Sequence, residues 1–445
     1  MRLTLPKSAL KYCISVYVTV SDWRTSVIGT CCWTGTGTLL FLSPEERKMQ
    51  IEIGSEACRP RSMTGEHLFD QQYLAPGRVN LIGEHTDYTG GLVLPMAIPF
   101  LSTASIAPNR QSVYEFTSDQ FPTTRCIDRK DELNRTGDWS DYCVGVFQQL
   151  RNIGIEITPF RVHITGNVPI GAGLSSSASI EVATLMALLA FAKATMSMEE
   201  MAVLCRRAEN EFVGSPCGIM DQFVILAARE AHALLLQTGN LRYEHLSLAS
   251  RHLAETAIIV VNSMVKHSIA VGDYGVRRRE VEAGQAILKE HFPQSADLGH
   301  TTLDELEACR VSMSPESHRR CHHIISENDR VRHAKAAILA DDLEWLGDLM
   351  TRSHVSQRDD FACSCEEIDF LVELALKQPG CFGARLTGGG FGGCTVNLVS
   401  ADHAEAFVAA VRRGYKDAFR IDAASYICEA AAGAVARNQV SHLGA

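Results

Sequence analysis

The stretch GNVPIGAGLSSSASIEVATLMALLAF, Gly166 to Phe191, governs how the rest of the chain is read. Gly166, Gly171 and Gly173 bracket a turn that Pro169 stiffens, and three serines follow. The run Ala178 to Ala192 then has the composition and length of a buried helix. A glycine loop that opens a helix leaves backbone N–H groups unpaired and aimed at one spot, and the helix dipole adds positive potential there. That is an anion site, and the hydroxyls of Ser175, Ser176 and Ser177 can reach phosphate oxygens or a bound metal. The plainer alternative is a serine-capped core helix after a turn.

Upstream, YLAPGRVNLIGEHTDYTGGLVLPMAI, Tyr73 to Ile98, carries two apolar bursts around a charged centre. Val79 to Ile82 reads as a strand end, Gly83 to Gly91 as a loop, and Leu92 to Ile98 as the next strand. Arg78, Glu84, His85 and Asp87 fall within ten residues, flanked by glycines. Carboxylates accept hydrogen bonds from sugar hydroxyls, so the loop suits a polyol, although most charged loops are salt-bridged surface turns. Rigid apolar strands on both sides favour the binding reading.

Downstream, Ser197 to Glu200 is a capping box that starts a helix running to about Phe212, with Glu209 on its polar, solvated face. In PCGIMDQFVILAA, Asp221 stands inside an apolar run, either desolvated and paired or poised for chemistry. Ala257 to Val261 reads as a strand, and Tyr274 precedes a basic cluster on a helix. Capping boxes are expected at Thr302 with Glu305 and at Ser364 with Glu367. ARLTGGGFGGCTVNLVS, Ala384 to Ser400, sets five glycines between two strand-like segments, as a second backbone cradle or a close-packed turn.

The 445 residues suffice for two or three domains. A net charge of −10 argues against a nucleic-acid protein. No uninterrupted apolar run is long enough to span a membrane, and the N-terminal segment makes a poor export signal. The 15 cysteines lack metal-ligand spacing and fit buried thiols in a reducing cytosol, so a cytoplasmic location is expected. Residues 1–62 show no sustained period and read as an extension or a mis-assigned start, Met49 and Met63 being plausible starts.

Three separated motifs together give a specific resemblance. APGRVNLIGEHTDYTGG, GNVPIGAGLSSSASIEVA and ARLTGGGFGGCTVNLV, supported by PCGIMDQF and SHVSQRDDFACSCEEID, resemble the GHMP kinases and, within them, the galactose-phosphorylating branch. The resemblance covers about residue 73 to the end. It implies an α+β fold of two domains, 63–250 and 251–445, with the active site in the cleft between them. It also implies transfer of the γ-phosphate of ATP, with Mg²⁺, to the C1 hydroxyl of galactose. The chain contains no Walker A sequence, so this is not a P-loop kinase.

By resemblance, Asp221 matches the proposed base and Arg78 the charge stabiliser. Glu84, His85, Asp87, Gly218 and Tyr274 match sugar-contacting positions, and Gly171, Gly173, Leu174, Ser175, Ser176 and Ser177 the ATP loop. Ser177 and Glu209 match positions that hold Mg²⁺. The partners implied are small molecules, a sugar and ATP. The family's leader with a Phe-Gly pair is missing, and Thr89 and Gly275 depart from the usual residues beside the sugar. A related sugar-1-kinase acting on N-acetylgalactosamine, where Ile replaces the Thr at position 86, is one alternative. A non-catalytic sensor of galactose and ATP is another, although such sensors lose part of the serine loop, which is intact here.

Overall fold

Three buried apolar clusters organise the strands and helices into layers. The computed structural model describes residues 32–33, 39–40, 71–266, 270–295 and 297–438. Most of the 1–62 extension, with Met49, and also Met63 lie outside the described residues. Contacts divide the chain into Met1–Gly65 and Glu66–Ala445. In the first unit, β1 (Cys32–Trp33) pairs antiparallel with β2 (Leu39–Leu40).

The second unit begins with β3 (Gln71–Asn80), β4 (Leu92–Val93), β5 (Pro95–Pro108), β6 (Val113–Ser118), β7 (Arg125–Asp128), α1 (Ser140–Asn152) and β8 (Phe160–Gly166). Next come α2 (Ser176–Ala192), α3 (Met198–Arg207), a π-helical turn Ala208–Val213, α4 (Met220–Ala227), β9 (His232–Gln237) and β10 (Arg242–Ser247). After β11 (Thr256–Lys266) the chain is largely helical: α5 (Ala270–His291), α6 (Leu303–Ala308), α7 (Pro315–Ala340), α8 (Leu343–Asp359) and α9 (Glu366–Leu376). It closes with β12 (Cys381–Thr387), β13 (Gly392–Ser400), α10 (Ala404–Phe419), β14 (Ala424–Cys428) and β15 (Val435–Asn438).

A six-stranded sheet has the order β15-β3-β5-β8-β6-β7, and a four-stranded sheet the order β12-β13-β11-β14. The only parallel pair described is β6 with β8. The apolar stretch after the charged loop makes two strands rather than one. Leu92–Val93 pairs with β9, whereas Pro95–Pro108 pairs with β3 and β8. The last strand, β15, returns to pair with β3, so the C-terminal segment completes the first sheet.

Helix α2 packs against this sheet and against α1, α3 and α4, and it is buried on nearly every side. That explains its Ala, Leu and Met content and its lack of a polar stripe. The boxes at Ser197–Glu200 and Thr302–Glu305 form as the sequence predicts. The one expected at Ser364 with Glu367 does not. Cys365 is the N-cap of α9, and the Ser364 hydroxyl donates to Asp369 at 2.5 Å instead.

Candidate active site

Two cavities meet at an ion pair. The first, of about 590 Å³, is lined by Arg78, Glu84, His85, Asp87, Gly218, Asp221 and Tyr274 among others. The second, of about 400 Å³, is lined by Gly171, Gly173, Ser175, Ser176 and Ser177, with Phe121, Trp139, Tyr142 and Ile170. Arg78, Tyr142, Asp221, Gly388 and Gly389 face both. The structure therefore brings the charged loop, the serine loop and the glycine turn together, although Arg78 and Gly388 are 310 residues apart in sequence.

Arg78 lies two residues before the end of β3 and is buried. Its Nε and Nη2 each donate to one carboxylate oxygen of Asp221 at 2.7 Å, and its Nη1 donates to the Gly173 carbonyl at 2.6 Å. A planar guanidinium fits such a fork, and a lysine could not hold both partners at once. Burial works against the charge, yet the Asp221, Glu84 and Asp87 carboxylates hold the Arg78 pKa above its ordinary value. Asp221 sits in the first turn of α4, where the helix dipole favours a negative charge.

Ser175 precedes α2 with a left-handed φ of 60° and makes no capping bond. Its hydroxyl donates instead to Asp221 at 2.5 Å. The serine-capped helix is thus overturned, because this hydroxyl serves the carboxylate and not the helix end. The residue before it, Leu174, is buried below the loop, and its carbonyl accepts from the Arg78 N–H at 3.1 Å.

The sugar-type loop divides its labour. Glu84 is buried, and its Oε1 accepts from Thr387 Oγ1 at 3.1 Å and from the Gly388 N–H at 2.9 Å, with Arg385 Nη2 at 3.3 Å. One oxygen of this carboxylate therefore ties the loop to the glycine turn. Gly388 to Gly390 thus acts both as a cavity wall and as a packed turn, since a Cβ at Gly390 would lie 2.5 Å from the Cys363 carbonyl.

His85 has φ of 63° and stacks on Phe361 at 4.0 Å. Burial, with His323 and Arg385 nearby, lowers its pKa to about 3, so it is neutral at physiological pH. Asp87 lies against Gly218, where any Cβ would fall 1.8 Å from its Oδ2. Burial, and then the Asp221 and Glu84 charges, raise its pKa to about 7. Tyr274 and Gly275 both line the first cavity, and a Cβ at Gly275 would meet only the end of Arg279.

Two expectations change. Thr86 is fully buried and donates to the Gly83 and Leu92 carbonyls, and Thr89 is buried with its hydroxyl on the Thr86 carbonyl. Both brace the loop from within and neither lines either of these two cavities, so residue type at these positions acts on loop shape. Glu209 is not solvated but 7% exposed. It lies four residues after the buried Cys205, in the π-helical turn that follows α3.

Glu209 Oε1 accepts from Ser177 Oγ at 3.3 Å and its Oε2 accepts from Gln222 Nε2 at 2.8 Å. Gln222 also donates to the fully buried Glu181 at 3.2 Å. Burial, and then Asp221, push the Glu209 pKa up to about 7, and burial pushes Glu181 well above its usual range. Sequence reasoning passed over Glu181, Gln222, Tyr142 and the stacked pair Phe121–Trp139 at 5.5 Å. Glu181, a lone acid inside the apolar run of α2, was a visible clue.

The chain matches the GHMP kinases N terminal domain over residues 141–229 and the GHMP kinases C terminal model over 334–417. It also matches the galactokinase galactose-binding signature over 65–108. It is 40% identical to a galactokinase of Homo sapiens, across 81% of this chain and 90% of that one. With a galactokinase of Fusobacterium nucleatum it is 36% identical, across 82% and 94%. Among solved structures it resembles Lactococcus lactis galactokinase complexed with galactose, with a TM-score of 0.78, 31% identity and coverage of 82% and 94%. A Methanococcus jannaschii mevalonate kinase at 20% identity and TM-score 0.58 shares the fold. The signature falls on the loop of the first cavity and the N-terminal model on the serine loop of the second, and with these identities the chain belongs to the galactokinases of the GHMP kinase family.

Proposed function

We propose that the chain transfers the γ-phosphoryl group of ATP to the C1 hydroxyl of galactose, with the sugar in the first cavity and the nucleotide in the second. The observation that carries this is the Arg78–Asp221 pair, which faces both cavities at once. Phosphoryl transfer through a loose transition state requires alignment and charge neutralisation more than a strong base. Asp221 would orient the sugar hydroxyl and accept its proton, and Arg78 would neutralise charge on the moving group. The amides of the Gly171–Gly173 loop and the Ser175 to Ser177 hydroxyls would hold the phosphates.

Ser177 and Glu209 offer hard oxygen donors beside the second cavity, which suits Mg²⁺. A hydroxyl and one carboxylate leave coordination to be completed by phosphates and water, as is usual for this ion. Bound there, Mg²⁺ would neutralise the β and γ oxygens. We assign sugar contacts to Glu84 Oε2, His85, Asp87, Gly218 and Tyr274, all from the first cavity.

We divide the kinase into 63–250 and 251–445, a reading supported by an N-terminal family model over 141–229 and a C-terminal one over 334–417, although β15 crosses back to pair with β3. Residues 1–62 precede the galactose-binding signature and stand outside the proposed kinase fold. No helix among the described residues is long and apolar enough to cross a membrane, and buried free thiols such as Cys143, Cys205 and Cys394 suit a reducing cytoplasm. The test is ADP release with galactose, N-acetylgalactosamine, glucose and mevalonate. Galactose is expected to give the highest kcat/KM. Equal efficiency on N-acetylgalactosamine would refute the substrate assignment, and no turnover with any sugar would refute catalysis.

A further inference from the structure

His323 and Glu327 lie one turn apart on α7, and both reach the loop that leaves β3. Neither lines a cavity near the ion pair. Glu327 is fully buried. Its Oε1 accepts from the Gly83 N–H at 2.9 Å, from Ser353 Oγ at 2.6 Å and, more weakly, from the Glu84 N–H at 3.4 Å. Its Oε2 accepts from Arg330 Nε at 2.6 Å. Burial opposes the charge, but Arg330, His323 and Arg385 overcome it and hold the Glu327 pKa at about 2.

His323 Nε2 lies 3.2 Å from the Glu84 carbonyl. A carbonyl can only accept, so in the neutral ring the proton sits on Nε2. Together the two side chains hold the N–H and C=O of one residue, Glu84. The next residue, His85, keeps a left-handed φ of 63°, which is strained for a non-glycine residue and persists only where the surroundings impose it. A buried carboxylate directed at backbone amides, beside a strained residue of the site, exceeds what packing alone requires.

We propose that Glu327 and His323 are positioning residues that fix the Gly83–Glu84 peptides, so that His85 and Asp87 face the sugar cavity. They act through the loop and touch no substrate. The inference rests on the reading of that loop as the sugar site.

The test is steady-state kinetics of the full chain carrying Glu327→Gln, which keeps the volume and removes the charge, with Asp87→Asn run in parallel. Glu327→Gln is expected to raise the galactose KM about tenfold or more, as loss of a charged hydrogen bond would, while the ATP KM stays within about twofold. A lower Tm with an unchanged galactose KM would show a merely structural role and overturn the inference. Equal rises in both KM values would also overturn it. If Asp87→Asn leaves galactose affinity unchanged, the sugar-loop reading itself fails, which separates the two failures. Should Glu327→Gln not fold, Glu327→Asp, charged but one methylene shorter, is read against the same outcomes.

Discussion

Gly218→Ala isolates the contact between the Gly83–Gly91 loop and the segment that leads into α4. The added Cβ would lie 1.8 Å from Asp87 Oδ2 and 2.2 Å from its Cγ, so a clearance of well over 1 Å must be found. Either the Asp87 carboxylate swings out of the cavity, or the segment Pro216–Gly218 retreats and carries Asp221, three residues on, with it. Gly218 has no left-handed φ, so alanine itself brings no backbone strain there. A misplacement of about 1 Å costs roughly 10²-fold in rate, and one lost hydrogen bond to a charged acceptor costs about 1.5–3 kcal/mol. The two routes agree on a fall in kcat/KM for galactose of roughly 10- to 150-fold. The assay varies galactose at saturating ATP and records Tm alongside. A galactose kcat/KM within about twofold of the parent in a folded variant would refute the argument, because it would mean that neither carboxylate needs its present place.

Three further outcomes follow from the same geometry. Asp221→Asn keeps the shape but removes the charge that Arg78 and Ser175 bind, and kcat is expected to fall on the order of 10²- to 10⁴-fold with little change in galactose affinity, as measured by single turnover and equilibrium binding. Asp87 has its pKa raised to about 7, so its ionised fraction rises roughly tenfold between pH 6 and 8. The galactose kcat/KM is expected to follow and to flatten in Asp87→Asn, whereas the stability linked to this group runs the other way and is lost as pH rises towards 7. Burial, and then the Glu209 charge, push the Glu181 pKa well above the usual carboxylate range, which favours its neutral form in the folded chain. Since the unfolded chain ionises above about pH 4, stability falls as pH rises, and Glu181→Gln is expected to show a Tm advantage that grows from pH 5 to 8 in thermal melts.

How far the sequence predicts this arrangement depends on whether the deciding physics is local. The helix after the serine loop, the strand at Ala257 and the capping boxes at Ser197 and Thr302 are set by neighbouring residues, and they form within a few positions of expectation. Ser364 fails because Asp369, one turn into α9, takes its hydroxyl. Glu209 defies the polar-face expectation because the π-helical turn at Ala208–Val213 directs it inward to Ser177 and Gln222, which no local polarity pattern encodes. The partners of Glu84 were beyond any local rule: Arg385 and Thr387 on β12 and Gly388 in the turn after it lie some 300 residues away.

The register of β3 explains why the three motifs must meet. Pairing with β5 slips between Pro76 and Gly77, where Pro76 opposes Leu101 and Gly77 opposes Ile98. The unpaired residues, Pro99 and Phe100, lie on β5, and such a bulge bends that strand opposite Gly77. At that bend a Cβ on Gly77 would fall 2.8 Å from the Leu174 carbonyl, so glycine lets the serine loop press against the strand. The Arg78 N–H then bonds that same carbonyl, and the Arg78 side chain reaches Gly173 in one direction and Asp221 in the other. Five residues later the strand has given way to the Gly83–Gly91 loop, and Glu84 grips the Gly388 turn that walls both cavities. A shift of β3 would therefore move the serine loop, the ion pair and the Gly83–Gly91 loop together. β15, returning from the far end of the chain to cover the outer edge of β3, is placed to oppose that shift.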